Sequence, residues 1–327
     1  MTGTEPVVLV TSRSFGDGGV DFAARLTAAG YRVERGPAGH DLATIGPALR
    51  SAVGWIAGTG PVTREHFASA PHLKVVARYG VGTDAVDLRA AQEAGVTVTN
   101  TPGANSTAVA EHTIALLLSA LRGVPAADRR VRAGDWSGWR TRELHALTVG
   151  IIGLGRIGQG VAERLAGFGP RLLGSDPWLP ADHPVFSTVE RSDPAAIAAA
   201  CDIVTLHAPG GERIVDAAWL AAAAARTPLI VNTARADLVD EAALATALRE
   251  RTVLAYAADT LAEENVGDTA SPLLSPDLAD RVIVTPHLGA QTVEGVDGMG
   301  AMATANLLAV LRHEPVPNLV TAPGGNR

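Results

Sequence analysis

Lysine and cysteine each occur once in this 327-residue chain, as Lys74 and Cys201. One cysteine excludes an intrachain disulfide, and its place in the strand-like run 201–207 marks it as a small buried apolar group rather than a nucleophile. Aromatic residues make up only 4%, so the cores implied by 47% hydrophobic residues must be built from Ala, Val, Leu and Ile. Basic runs are missing and the net charge is −7, which argues against nucleic acid as a main partner. No apolar run approaches the roughly 18 residues of a membrane span. The first six residues lack the basic-then-apolar order of a signal peptide. A soluble, cytoplasmic protein without a membrane partner is expected. With no Cys/His cluster and no His-x-x-x-His spacing, no metal site is expected either.

What is present is a rhythm. Short apolar runs at 7–10, 55–57, 74–77 and 96–99 alternate with helical stretches around 20–29, 64–68 and 88–94. A second series begins at Leu147 and includes runs at 229–232, 253–256 and 282–284. Such βαβ alternation implies parallel sheets covered by helices. Between the series lie an apolar helix, 107–121, and a polar, Arg- and Trp-bearing arm, 122–143; a last helix, 298–312, is expected to return to the first series. The chain therefore predicts two α/β domains, each with a doubly wound, Rossmann-like parallel sheet, the first of them discontinuous. The expected boundaries are 1–101 with 289–327 for one domain and 102–288 for the other. Residues 263–276 are rich in turn formers and read as a surface loop.

The most specific motif is Gly153-Leu-Gly-Arg-Ile-Gly158. It follows the strand-like run 147–152 and opens the helical run 157–168; Asp176 stands 18 positions beyond Gly158, at the end of another short apolar stretch. That order is a dinucleotide-binding βαβ pattern. Gly153 permits a tight turn, Gly155 lets the backbone approach a pyrophosphate, and Gly158 allows close helix–strand packing. The pyrophosphate then meets the unpaired N–H groups and positive end of the helix.

A nucleotide fold does not specify a reaction. Arg235 and His287 each follow a predicted strand, and Glu264 lies in a loop after the strand ending near Asp259. Ligands bind at such strand ends in open α/β sheets. Four motifs then occur in order: Ala77-Arg-Tyr-Gly-Val-Gly-Thr-Asp84 with Asn100-Thr-Pro-Gly-Ala-Asn105, the glycine motif, Asn232-Thr-Ala-Arg-Ala-Asp-Leu-Val-Asp240, and Thr285-Pro-His-Leu-Gly289. Over about residues 5–320 the chain resembles the NAD-dependent D-2-hydroxyacid dehydrogenases, in particular their D-3-phosphoglycerate dehydrogenase-like branch, and the regulatory domain of the longer members is expected to be absent. The loop at 259–265 departs from the family's usual Asp-Val-Phe-Glu-x-Glu-Pro, reading Asp-Thr-Leu-Ala-Glu-Glu-Asn.

The resemblance implies an oxidoreductase that moves hydride between NAD(H) and a small D-2-hydroxy or 2-oxo acid in an interdomain cleft. His287 would be the acid/base, suited by an unperturbed pKa near 6.5. Glu264 would pair with the imidazole, unless neighbouring Glu263 does so. Arg235 would hold the substrate carboxylate, and backbone N–H groups of Tyr79, Gly80, Val81 and Gly82 would take its other oxygen. Cofactor contacts are implied for Thr107, Gly153, Gly155, Arg156, Ile157, Gly158, Asp176, Thr233, Ala234, Arg235, Asp259, His287, Gly289 and Ala290, with Asp176 on the adenosine ribose and Asp259 near the nicotinamide amide. A homodimer built on the cofactor domain, through the helix 107–121 and the arm 122–142, is also implied.

Phosphoglycerate-using relatives usually carry an Arg in the loop after the third strand. Gly58 or Thr59 stands about there, and residues 54–63 hold no basic side chain. A small unphosphorylated acid is therefore favoured over 3-phosphoglycerate, with Arg78, Arg140 and Arg142 as substitute phosphate ligands in the other case. A binding protein of the same ancestry, an NAD-sensing corepressor, is the alternative from a different class; no partner-binding extension speaks for it.

Overall fold

The computed structural model describes residues 5–262 and 271–322. The chain runs β1 (Val7–Val10), α1 (Phe22–Ala28), β2 (Arg32–Arg35), α2 (Leu42–Leu49), β3 (Ala52–Ala57), α3 (Arg64–Ala68), β4 (Val75–Arg78), α4 (Leu88–Glu93) and β5 (Thr97–Thr99). It continues with α5 (Ser106–Arg122), α6 (Val124–Arg132), β6 (Thr148–Ile152), α7 (Arg156–Ala166), β7 (Arg171–Ser175), β8 (Glu190–Arg191), α8 (Pro194–Ala200) and β9 (Ile203–Leu206). Then come α9 (Ala217–Ala223), β10 (Leu229–Asn232), α10 (Glu241–Arg249), β11 (Ala255–Ala258), β12 (Val282–Val284), α11 (Val293–Leu311) and β13 (Leu319–Val320). Two compact units result: Met1–Asn105 with Ala290–Arg327, and Ser106–Gly289.

The first unit holds a sheet of order β13-β5-β4-β3-β1-β2. It is parallel except for β13, which adds to β5 antiparallel. Helix α11 packs on β3 and β4, so the last helix does return to the first series. The second unit holds a wholly parallel sheet, β12-β11-β10-β9-β6-β7-β8. Strands β1, β9, β10 and β11 are buried along their whole length, as expected when helices cover both faces. This is the α/β architecture of two Rossmann-like sheets that the alternation predicts.

Aspartate sets many of the helix starts. Asp21, Asp41, Asp87, Asp193, Asp216 and Asp240 each accept the backbone N–H three residues on, at the head of α1, α2, α4, α8, α9 and α10. Each such cap contributes about 1 kcal/mol, which gives part of the acidic excess a structural purpose. Cys201 is fully buried, and burial pushes its thiol up to about 12, so it is an inert core group. Among the described residues no helix is long and apolar enough to cross a membrane.

The elements differ from expectation in several places. The arm contains a helix, α6, entered through Gly123 in the left-handed region (φ 63°) with Pro125 in its first turn. Strand β11 lies two residues beyond the run 253–256, because pairing with β10 places Leu229 opposite Ala255. Helix α11 starts at Val293, capped by Thr292, despite three glycines in its first half. Strand β2, polar and at the sheet edge, has no counterpart among the apolar runs.

Candidate functional site

In the second sheet β7 and β8 lie on one side of β6, and the chain then returns to lay β9 on the other. The loops leaving β6 and β9 both emerge at the C-terminal ends of these adjacent parallel strands. Open α/β sheets bind ligands at such a reversal of strand order.

The glycine loop leaves β6 there, and its glycines are not equivalent. Gly153 has φ +93°, and a Cβ on it would lie 2.5 Å from the His207 carbonyl carbon. A Cβ on Gly158 would lie 2.0 Å from the Gly153 oxygen. Gly155, at the N-cap of α7, would meet nothing within 4 Å. Its exposed backbone and the first turn of α7, with Arg156 and Ile157, leave room for a phosphate group at a helix N-terminus. Asp176 follows β7 and sits beside this loop: its carboxylate accepts the N–H of Leu154 at 2.8 Å and of Trp178 at 2.9 Å. Thr107, in the first turn of α5, lines an open groove together with Arg156, Gln159 and Glu163. The residues present fit a dinucleotide.

Arg235 follows β10 in a turn that Asn232 folds. The fully buried Asn232 amide donates to the Arg235 carbonyl at 2.8 Å, and its oxygen accepts the Ala234 N–H at 3.0 Å. Thr113 spends its hydroxyl proton on the Val109 carbonyl, so the Thr233 hydroxyl donates to Thr113 at 2.8 Å and ties the turn to α5. The half-buried Arg235 guanidinium donates to the Ala234 carbonyl at 2.8 Å.

His287 follows β12, exposed, in the left-handed region at φ +55°. Its turn is clasped by Asp259, which follows β11 and is only 3% exposed. One Asp259 oxygen accepts the Thr285 hydroxyl and the Leu288 N–H (2.8 Å), the other the Gly289 N–H (2.7 Å). Burial alone would raise this carboxyl. Hydrogen bonds from His112, Thr285, Gly289 and Leu288 outweigh it and hold the pKa below the ordinary value. Glu264, expected beside His287, and its rival Glu263 lie outside the described residues. Ala290 is the first residue of the returning segment of the first unit.

In the first unit, Tyr79 is an anchor. Its buried hydroxyl donates to the Val296 carbonyl at 2.9 Å, and burial pushes the phenol up to about 12. The Tyr79 N–H donates to Ala57 and the Gly80 N–H to the Thr101 hydroxyl, so these two expected carboxylate donors are engaged inside the unit. Arg78, 6% exposed, donates to the carbonyls of Gly82 and Gly60 and joins the two loops. A Cβ on Gly58 would lie 2.8 Å from the Thr11 carbonyl oxygen, so a side chain there would require the backbone to move; Thr59 is exposed.

The family model described as the D-isomer specific 2-hydroxyacid dehydrogenase, NAD binding domain, matches residues 114–289. The chain belongs to that dehydrogenase family. It is 39% identical over 274 residues to D-3-phosphoglycerate dehydrogenase of Methanocaldococcus jannaschii, covering 80% of this chain and 50% of that protein. It is 36% identical over 271 residues to glyoxylate reductase of Korarchaeum cryptofilum, covering 80% of each. The solved structure of the TT0316 protein from Thermus thermophilus has a TM-score of 0.85 at 33% identity, covering 96% of this chain and 100% of that one. The chain thus spans about half the length of the phosphoglycerate dehydrogenases it matches.

The second unit is therefore the family's NAD binding domain, and the resemblance carried by the four motifs is shown. Three residues near its ligand-facing edge have roles that the sequence reading does not assign. His207 follows β9; its Nε2 lies 2.9 Å from the Thr205 hydroxyl, its Nδ1 is buried without a partner among the described residues, and burial pushes it down to about 3. Asp237 accepts the Gly211 N–H at 2.7 Å and pins the loop after β9. His112, on α5, reaches Thr285 and Asp259. Asp237 has a cue in lying within the motif 232–240, and His207 in ending the strand-like run 201–207. His112 has none, because its partners are Asp259 and Thr285, the latter 173 positions away.

Proposed function

We propose that this chain is an NAD-dependent D-2-hydroxyacid dehydrogenase acting on a small, unphosphorylated 2-oxo or 2-hydroxy acid. One observation carries the reading: an open glycine loop with Asp176, the Arg235 turn and the His287 turn all leave the same end of one parallel sheet. When bound there, NAD(H) supplies or accepts the hydride. His287 gives a proton to the substrate's keto oxygen in reduction, or takes it from the hydroxyl in oxidation. Arg235 holds the carboxylate through its fork of donors. Glu264 stabilises the charged imidazole. The substrate-loop donors read from the resemblance narrow to Val81 and Gly82, since the N–H groups of Tyr79 and Gly80 are engaged.

The preference for an unphosphorylated acid rests on charge. A phosphate is usually met by Arg or Lys. Arg78 is buried on loop carbonyls, and Arg142 pairs with Asp202 at 2.9 Å in its own chain; only exposed Arg140 of the three remains uncommitted to a contact of this kind. The phosphoglycerate reading stays as the second, because the curated relatives at 39–41% identity carry that name while the glyoxylate reductase stands at 36%. We also infer a homodimer through the cofactor unit. Helix α5 buries Leu116, Leu117 and Leu121 within its unit, but Val124, Val131, Trp136 and Trp139 just beyond it are exposed, Trp136 by 81%.

Steady-state kinetics with glyoxylate, pyruvate, hydroxypyruvate and 3-phosphohydroxypyruvate, each with NADH and NADPH, tests the reading. The highest kcat/KM is expected for an unphosphorylated acid with NADH, since Asp176 repels a 2′-phosphate and no cation follows it in Pro177-Trp178. A clear preference for 3-phosphohydroxypyruvate would return the phosphoglycerate reading to first place.

A further inference from the structure

A non-glycine residue in the left-handed region is strained and persists only where its surroundings hold it. For His287 the holding groups are on one unit and can be followed atom by atom. Its N–H donates to the Thr285 carbonyl at 2.9 Å and the Asp259 carbonyl at 3.2 Å. The Asp259 carboxylate collects the Thr285 hydroxyl and the N–H groups of Leu288 and Gly289, which bracket the turn on both sides of the imidazole. Thr285 has one hydroxyl proton, and Asp259 takes it. The 2.9 Å contact between His112 Nε2 and Thr285 Oγ1 must then be a donation by His112, whose Nε2 also lies 3.3 Å from Asp259. A ring nitrogen that carries the proton here satisfies both oxygens; a bare one would face them with lone pairs.

We propose that His112 is a positioning residue for His287: from α5 its Nε2–H orients the Thr285 hydroxyl and the Asp259 carboxylate, and through them fixes the turn that presents the catalytic imidazole. The proposal rests on the reading of His287 as acid/base, so its test includes a readout that needs neither substrate nor cofactor. Gln can place an N–H donor near the Nε2 position, whereas Leu fills space without one. His112→Leu is expected to lower kcat about tenfold, the scale of a small misplacement of a catalytic group, with the dissociation constant for NADH nearly unchanged. His112→Gln should recover most of that loss. Thr285→Val removes the same link from its other end, so losses in the double variant His112→Leu/Thr285→Val should fall well short of the sum of the single losses.

Histidine-labelled protein without cofactor supplies the independent measurement. The His287 ring resonances, assigned by their disappearance in His287→Ala, should move in His112→Leu and Thr285→Val and stay near their wild-type positions in His112→Gln. If His112→Leu does not fold, His112→Gln and Thr285→Val still give the comparison. Unmoved His287 resonances in Thr285→Val, additive losses, or a His112→Gln variant as impaired as His112→Leu would each overturn the proposal. If wild-type protein turns over none of the 2-oxo acids, the proposed reaction fails, while the resonances still decide whether His112 sets the His287 turn.

Discussion

Asp259 and His207 are both buried beside the nucleotide edge, yet burial leaves opposite marks on them. Asp259 is charged because hydrogen-bond donors converge on it and offset its desolvation. Among the described residues the His207 ring has a threonine hydroxyl as its one partner, and burial drives it to about 3, so it stays neutral. The consequences for stability separate by pH. For His207 the unfolded chain binds a proton below 6.5 while the folded one resists until about 3, so stability falls as pH drops through that window. Buried His40, lowered to about 4 mainly by burial, adds a loss of the same sign in the first unit. Asp259, lowered from 3.8, contributes stability above its unfolded value and loses it only at more acidic pH. Replacing His207 by Asn should therefore shrink the drop in Tm between about pH 7 and about pH 5, because the variant has no imidazole to protonate on unfolding. An undiminished drop would show that His207 is not among the groups responsible.

At the scale of elements, the glycine loop is the part most fully legible in the sequence. The positive φ of Gly153 and the close approach of Gly158 to the Gly153 carbonyl are local demands, and so they surface as a spacing, although Gly153 also packs against His207 from the loop after β9. The strand before the loop, the helix after it and Asp176 at the end of β7 follow from the same short segment. Elements whose reasons lie elsewhere are harder to read. Strand β2 owes its place to pairing with β1 rather than to an apolar pattern, and β11 takes its register from β10. Helix α6 hides in a polar, Arg-rich stretch; one of its arginines, Arg129, pairs with Asp280 at 2.7 Å, 151 positions on. Among the site residues, Arg235 and His287 carry motif signatures, whereas His112 acquires its partners only through the packing of α5. The glycines also give a paired test. Gly158→Ala should lower Tm, since its Cβ would overlap the Gly153 carbonyl and overpacking costs about 1–3 kcal/mol. Gly155→Ala has free space and an allowed backbone (φ −68°, ψ −167°), so it should keep Tm and lose NADH affinity. A Gly155→Ala variant that binds NADH as tightly as wild type would remove that backbone from the cofactor site.

For the whole molecule, the family follows from residues 114–289 and the fold from both sheets, while the reaction, its substrate and its assembly are inferences from side chains. The exposed Trp136 and its apolar neighbours on the arm make assembly testable by light scattering. A mass near twice 33.6 kDa is expected, falling toward the monomer when Trp136 and Val131 are replaced by Ser; a monomeric wild type would discard the dimer. The central claim is that hydride passes directly between the nicotinamide and the C2 carbon of a 2-oxo acid, with His287 handling the proton. Transfer from NADH stereospecifically deuterated at the reactive carbon tests it most directly. With the best unphosphorylated 2-oxo acid, the product should be the D-2-hydroxy acid carrying one deuterium at C2, and His287→Ala should slow its formation at least about a hundredfold while still binding NADH. Product without deuterium at C2, or equal rates in the His287→Ala variant, would contradict the claim.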